Sequence, residues 1–137
     1  MRVPEVGDTA KRSIRITDEH IEAFAKLTGD RNPLHFDAEF ARSMGFDGRI
    51  AHGMLTSSIL STLIGEDLPG KGAIFLEQRV RYAAPVYPGD TINAELEVTK
   101  VREDKPIVTL AARISRQDGT LVAEGETVVL LRQPKAS

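Results

Sequence analysis

The 137-residue sequence contains no cysteine, which excludes disulfides, thiolate metal sites and a cysteine nucleophile together. No run approaches the roughly 18 apolar residues that a membrane span needs, and residues 1–12 lack the apolar stretch of a signal peptide. These absences predict a soluble, cytoplasmic protein with no membrane partner. Excess charge is missing too: 18 basic residues stand against 20 acidic ones, for a net charge of −2. Nucleic-acid binding needs a broad basic face, and none is expected here. Arg79 and Arg81 alternate with Gln78, Val80 and Tyr82, but one short alternation reads as a solvated strand face. The three histidines show no paired ligand spacing such as H-E-x-x-H, so no metal site is expected. Repeats and linkers are lacking as well, which leaves one domain over 1–137. At that length roughly 68–70% of the surface of the unfolded chain can be buried, enough for a core without staples.

Polar groups concentrate between Thr28 and Met54. Asp30 and His35 lie five residues apart with Asn32-Pro33 between them, and the residue before a proline is biased away from the helical region. Helical stacking therefore cannot join the pair, whereas an irregular loop can. A carboxylate and an imidazole converging on one water make a workable acid/base site. The spacing alone equally allows a structural reading, in which Asp30 ends a helix, Asn32-Pro33 turns the chain and His35 packs nearby.

Before that stretch, Ile14 and Ile16 alternate with Ser13 and Arg15, which predicts a short strand over 10–16. Thr17 followed by Asp18 and Glu19 is the order of a helix cap and acidic first turn. Ile21, Phe24, Ala25 and Thr28 continue that helix, Gly29 closes it, and His20 is read as a surface residue. Asp37 can cap a second short helix to Met44, with Phe40, Ala41 and Met44 on its inner face. Residues 54–64, M-L-T-S-S-I-L-S-T-L-I, carry no charge on any side, which predicts a buried helix.

Beyond the loop residues of 65–72 the chain reads as strand. Segments 73–82, 91–101, 107–116 and 120–132 are β-prone; Ile92, Ala94, Leu96 and Val98 alternate with polar residues, as in a sheet with one wet face. Asp118-Gly119 is a hairpin signal, and 133–137 reads as a frayed tail. The economical packing is an α+β fold in which a curved antiparallel sheet of four consecutive strands wraps the central helix near residues 53–64. An open sheet has edges that template another chain, so a homodimer is expected.

The runs D-R-N-P-L-H at 30–35, A-H-G-M at 51–54 and Y-A-A-P-V-Y-P-G-D-T at 82–91 together resemble the MaoC-like hydratases of the hotdog superfamily. Within it, the sequence is most similar to the bacterial (R)-specific enoyl-CoA hydratases that feed polyhydroxyalkanoate synthesis. The resemblance covers nearly the whole chain, with the motifs in the same order. It implies a single hotdog domain and a hydro-lyase of fatty acid metabolism that adds water to trans-2-enoyl-CoA. Coenzyme A would arrive as part of the substrate, with no retained cofactor.

The resemblance also implies roles for residues. Asp30 and His35 would hold the water; the residues leave open which of them moves which proton, and the expectation is Asp30 as the main base, with His35 binding the water and assisting transfer. The backbone N–H of Gly53 would bind the thioester carbonyl at a helix N-terminus, where developing negative charge is favoured. Ser61 matches a serine implicated later in that helix, Asn32 would fix the loop or touch the ligand, and His52 would order the start of the helix. Ile64 and Val129 could line the acyl pocket. Asp30 is expected to be poorly solvated, and CoA phosphates would lie by Lys71, Arg79 or Arg81. Two other activities fit the same shell: an acyl-CoA thioesterase and a non-catalytic acyl-CoA binding subunit.

Overall fold

The computed structural model describes residues 3–133 and Lys135; of the tail predicted over 133–137, residues 134, 136 and 137 lie outside the described residues. The chain opens with strand β1 (Thr9–Arg15) and helix α1 (Asp18–Thr28). Thr17 caps α1 by accepting from the His20 amide at 3.3 Å, and the Thr17 amide donates back to His20 Nδ1 at 3.1 Å. His20 is therefore half-buried and takes the place of the usual Glu or Gln in a reciprocal cap, not that of a free surface residue. Gly29 ends the helix at φ 83°, where its amide reaches the Ala25 carbonyl.

The segment predicted as an irregular loop contains a one-turn helix, α2 (Pro33–Phe36). Its cause is local: Asn32 accepts from the Leu34 amide at 3.0 Å, and proline suits the first helical position because its missing N–H would be unsatisfied there anyway. Helix α3 (Ala38–Ser43) follows, capped by Asp37. Of the three residues assigned to its inner face, only Ala41 is buried, while Phe40 and Met44 are exposed. Six residues make fewer than two turns, so little of this helix can face inward.

Helix α4 (Gly53–Thr62) runs into a π-helical turn (Leu63–Asp67). Thr56, Ser57, Ile59 and Leu60 are buried, as are Leu63 and Ile64 in the turn. The expected all-round burial does not hold within one chain: Met54 is 71% exposed, and Ser58, Ser61 and Thr62 face solvent. No helix among the described residues is long and apolar enough to cross a membrane.

Strands β2 (Ala73–Tyr82), β3 (Thr91–Val101), β4 (Ile107–Arg116) and β5 (Leu121–Leu131) join β1 in one antiparallel sheet of order β1-β3-β4-β5-β2. The last four strands are thus not a simple meander, because β2 returns to pair with β5. Gly125 permits that crossing: a Cβ there would sit 1.8 Å from the Arg79 carbonyl oxygen. The inner face carries Ile92, Leu96, Val98, Val108, Leu110 and Ile114, which pack in one core with Leu60, Leu63 and Ile64. This is the hotdog arrangement, a sheet curved about a central helix, and its class is α+β.

The other face of the sheet is polar and internally matched. Lys11, Glu95, Arg113, Glu124 and Arg81 lie opposite one another in turn across all five strands. Arg81 donates to Glu124 at 2.8 Å and Arg79 to Glu126 at 2.5 Å. Opposite charges directly across a strand pair are mildly stabilising, which explains the Arg79 and Arg81 alternation as a solvated, self-neutralised face.

Candidate active site

Three short segments meet at the N-terminus of α4. The first leaves α1 through Gly29, and the Asp30 amide donates to Thr28 Oγ1 at 3.2 Å. Asp30 Oδ1 accepts from the Asn32 amide at 3.2 Å, which folds the carboxylate back over the start of α2. Asn32 then caps α2, and that single turn presents His35, which is 8% exposed. Proline and asparagine thus do locally what a long helix could not: they bring Asp30 and His35 to one place.

The second segment runs from Arg49 to His52. Arg49 pairs with Asp18 and donates to the His35 carbonyl at 3.3 Å, while the Ile50 amide donates to the Leu34 carbonyl at 3.1 Å. His35 Nδ1 lies 2.7 Å from the Ile50 carbonyl oxygen. A carbonyl can only accept, so Nδ1 carries a hydrogen, and in the neutral ring Nε2 keeps the lone pair. By the same logic His52 Nε2 donates to the Asp30 carbonyl at 3.0 Å. The two imidazoles stack with centroids 3.8 Å apart and planes tilted by 30°, and Phe24 closes on His52 at 4.7 Å.

Asp30, His35 and His52 each place a donor atom within 4.8 Å of the others. His35 Nδ1 and His52 Nε2 are each engaged by a backbone carbonyl, which leaves each ring one further nitrogen. The group joins an exposed carboxylate to a buried imidazole, the pairing of residue types that acid/base chemistry uses. Asp30 is exposed in the single chain, contrary to the expectation of poor solvation. It follows the C-terminal end of α1, on the surface of the fold.

The third segment is the start of α4. Gly53 is its first residue and His52 supplies no side-chain cap, so the end of the helix offers amide donors with no i−4 acceptor of their own. The Tyr82 ring covers this turn: a Cβ on Gly53 would approach Tyr82 Cε1 to 3.2 Å. Tyr82 is anchored by a 2.7 Å hydrogen bond between its hydroxyl and Ser57 Oγ. Beside them opens a cavity of about 290 Å³, bordered by Gly53, Thr56, Tyr82, Phe46, Ile50 and Val122.

Asp30, Asn32, His35 and Gly53 are therefore gathered at one end of α4. Ser61 is not: it lies eight residues beyond Gly53, about 12 Å along the helix, on the exposed stripe. Ile64 and Val129 are fully buried in the core and do not border the cavity at Gly53. Arg79 and Arg81 project from the outer sheet face with glutamate partners. Sequence reasoning missed the Tyr82–Ser57 pair. Its signal was present, because Tyr82 begins the third motif and Ser57 stands among the small residues of the helix.

Comparison with known proteins identifies the family of the fold. Residues 3–118 match the model of the MaoC like domain. An (R)-specific enoyl-CoA hydratase of Aeromonas caviae is 50% identical over 127 residues, covering 93% of this chain and 95% of that protein. A protein of the same name from Rhodospirillum rubrum is 38% identical, covering 91% and 86%. The solved structure of an (R)-hydratase from A. caviae involved in PHA biosynthesis superposes with a TM-score of 0.91 at 48% identity, over 96% of this chain and 100% of that one. A family model spanning most of the chain, half-identical sequence over nearly its full length and a shared sheet-and-helix fold lead to one assignment: the chain belongs to the MaoC-like domain family.

Proposed function

We propose that the chain is an (R)-specific enoyl-CoA hydratase, a hydro-lyase that converts trans-2-enoyl-CoA to (R)-3-hydroxyacyl-CoA. The observation that carries this reading is the convergence of the Asp30 carboxylate and the His35 imidazole. The imidazole Nδ1–H is spent on the Ile50 carbonyl, and in the neutral ring Nε2 is then the acceptor; the Asp30 carboxylate and the His35 ring come within 4.8 Å of one another. One water can direct a hydrogen to each acceptor and turn an oxygen lone pair toward C3 of a bound enoyl group. The activity and stereochemistry named for the A. caviae relative support the same substrate class.

The water oxygen bonds to C3, its proton passes to Asp30, and the C2=C3 electron pair moves through C1 onto the thioester oxygen. The Gly53 amide at the helix N-terminus meets that charge as it forms. Collapse of the enolate takes the proton to C2, so a single group both receives and returns it while His35 holds the water. Coenzyme A enters and leaves as part of the substrate. Supply of (R)-3-hydroxyacyl units for polyhydroxyalkanoate synthesis is the context suggested by the A. caviae structure.

The assembled form in this reading is a homodimer. β2 is a free sheet edge with Ile74, Phe75 and Leu76 exposed, and α4 leaves Met54, Ser58 and Ser61 on an open stripe. A second copy covers such an edge by continuing the sheet. Ile64 and Val129 would then set acyl-chain preference from the core side, where truncation opens room beside α4. If Ile64→Ala and Val129→Ala leave the preference among enoyl chain lengths unchanged, that part of the proposal is wrong.

The deciding experiment adds crotonyl-CoA to purified protein and follows enone absorbance beside Asp30→Ala and His35→Ala. Absorbance is expected to fall with wild type, and about 10²-fold more slowly or worse in each variant, as for removal of a general acid/base. Thiol release with unchanged enone absorbance would instead identify a thioesterase. Tight acyl-CoA binding with neither signal would identify a binding subunit.

A further inference from the structure

His52 is buried in a way that stability does not explain. It is 2% exposed, and its Nδ1 has no hydrogen-bond partner. An unpaired buried polar atom destabilises a fold, so an apolar side chain would serve a merely structural position better. Nor does His52 cap the helix it precedes: it occupies the N-cap position of α4 without a side-chain bond to any amide, where serine or aspartate would supply one.

What the imidazole does is join the two groups of the proposed water site. Its Nε2–H holds the Asp30 carbonyl at 3.0 Å, and its face supports the His35 ring at a centroid distance of 3.8 Å. Phe24 and Phe36 enclose it, with centroids at 4.7 and 6.3 Å, which fixes the plane of the ring. Neither leucine nor serine could both donate along that line and present a flat surface. We infer that His52 is a positioning residue, which registers Asp30 and His35 against each other and against the first turn of α4. This rests on the hydratase reading above.

The test uses the full chain with His52→Leu and His52→Gln. Glutamine can extend an amide donor toward the place of Nε2 without the imidazole face. His52→Leu is expected to melt at or above the wild-type temperature, because it removes the unpaired nitrogen. Its kcat for crotonyl-CoA should nevertheless fall about 10²-fold, the scale of a small misplacement in a reacting geometry, with KM changed less than about threefold. His52→Gln should recover about tenfold of that loss. Amide hydrogen exchange over 30–36 should speed up in His52→Leu and slow again in His52→Gln, which reads the tether without any turnover. A wild type inactive on enoyl-CoA substrates would defeat the hydratase reading, while the exchange data would still decide the tether. An active wild type with an unimpaired His52→Leu would overturn the positioning role. So would a His52→Leu variant of lowered melting temperature whose losses His52→Gln does not repair, or exchange that is alike in all three proteins.

Discussion

Replacing Gly53 with alanine separates the chemistry of a backbone donor from the stability of the helix it begins. The added Cβ would stand 3.2 Å from Tyr82 Cε1 and 3.4 Å from Cζ, a few tenths of an ångström closer than ordinary contact. Tyr82 is 45% exposed and can swing outward, but doing so strains its 2.7 Å bond to Ser57. Against this, alanine favours helix over glycine by up to about 1 kcal/mol, and Gly53 shows no positive φ that a side chain would resist. The two small effects oppose each other, so the melting temperature should change little. Activity should not be spared, because the methyl group and the displaced ring occupy the approach to the Gly53 amide. Loss of one preorganised donor to a developing oxyanion costs about 10²–10³ in kcat, or about 2.7–4 kcal/mol. Steady-state hydration of crotonyl-CoA beside a thermal melt reads both quantities. A Gly53→Ala protein with kcat within about threefold of wild type, against that expected loss, would show that charge does not collect at this amide.

Three further outcomes follow from named contacts. Asn32→Ala should cost about 1 kcal/mol as a lost cap and lower kcat by loosening the single turn that carries His35; Asn32→Asp, which keeps the acceptor, should retain most activity in the same assay. Arg12 grips Asp67 through bonds of 2.6 and 3.0 Å, and that hydrogen bond holds the Asp67 carboxyl below its usual range. A lowered carboxyl stabilises the fold above its unfolded value and loses that contribution as pH falls through the folded one. The melting-temperature gap between wild type and Asp67→Asn should therefore close on acidification below about pH 4, and a gap that persists at pH 2 would refute the pairing. Leu76→Lys, on the β2 edge, should shift sedimentation from dimer to monomer; an unchanged profile would move the interface elsewhere.

Periodicity made the strands legible, and the caps made α1 legible, because both signals are local. The return of β2 to the far edge was not, since pairing of β2 with β5 depends on packing and on a glycine forty-three residues after Tyr82 in the chain, where the Arg79 carbonyl needs space. At the site, spacing alone left Asp30 and His35 open between a catalytic and a structural reading, and it was the resemblance that placed Asn32 and Gly53 beside them. Their joining through backbone carbonyls was hidden, because no residue type marks the Ile50 or Asp30 oxygen as an acceptor. The exposure of Asp30 was misjudged for a related reason: a sequence shows which groups are polar and not which rim of the fold they occupy.

The largest departure from the sequence reading, the open stripe on α4, bears on the choice of interface. A helix without charge was expected to be covered on every side, and the side chains that remain uncovered are Met54, Ser58, Ser61 and Thr62, small or flexible ones that admit close approach. The outer sheet face makes the opposite choice. Its arginines already have glutamate partners at 2.5 and 2.8 Å, so a protein docking there would have to displace formed ion pairs to gain new ones. The β2 edge offers unpaired backbone groups beside exposed Phe75 and Leu76, where association only adds bonds and buries apolar surface. In the proposed homodimer the balance of costs therefore directs the second copy to the β2 side and leaves the charged face to solvent.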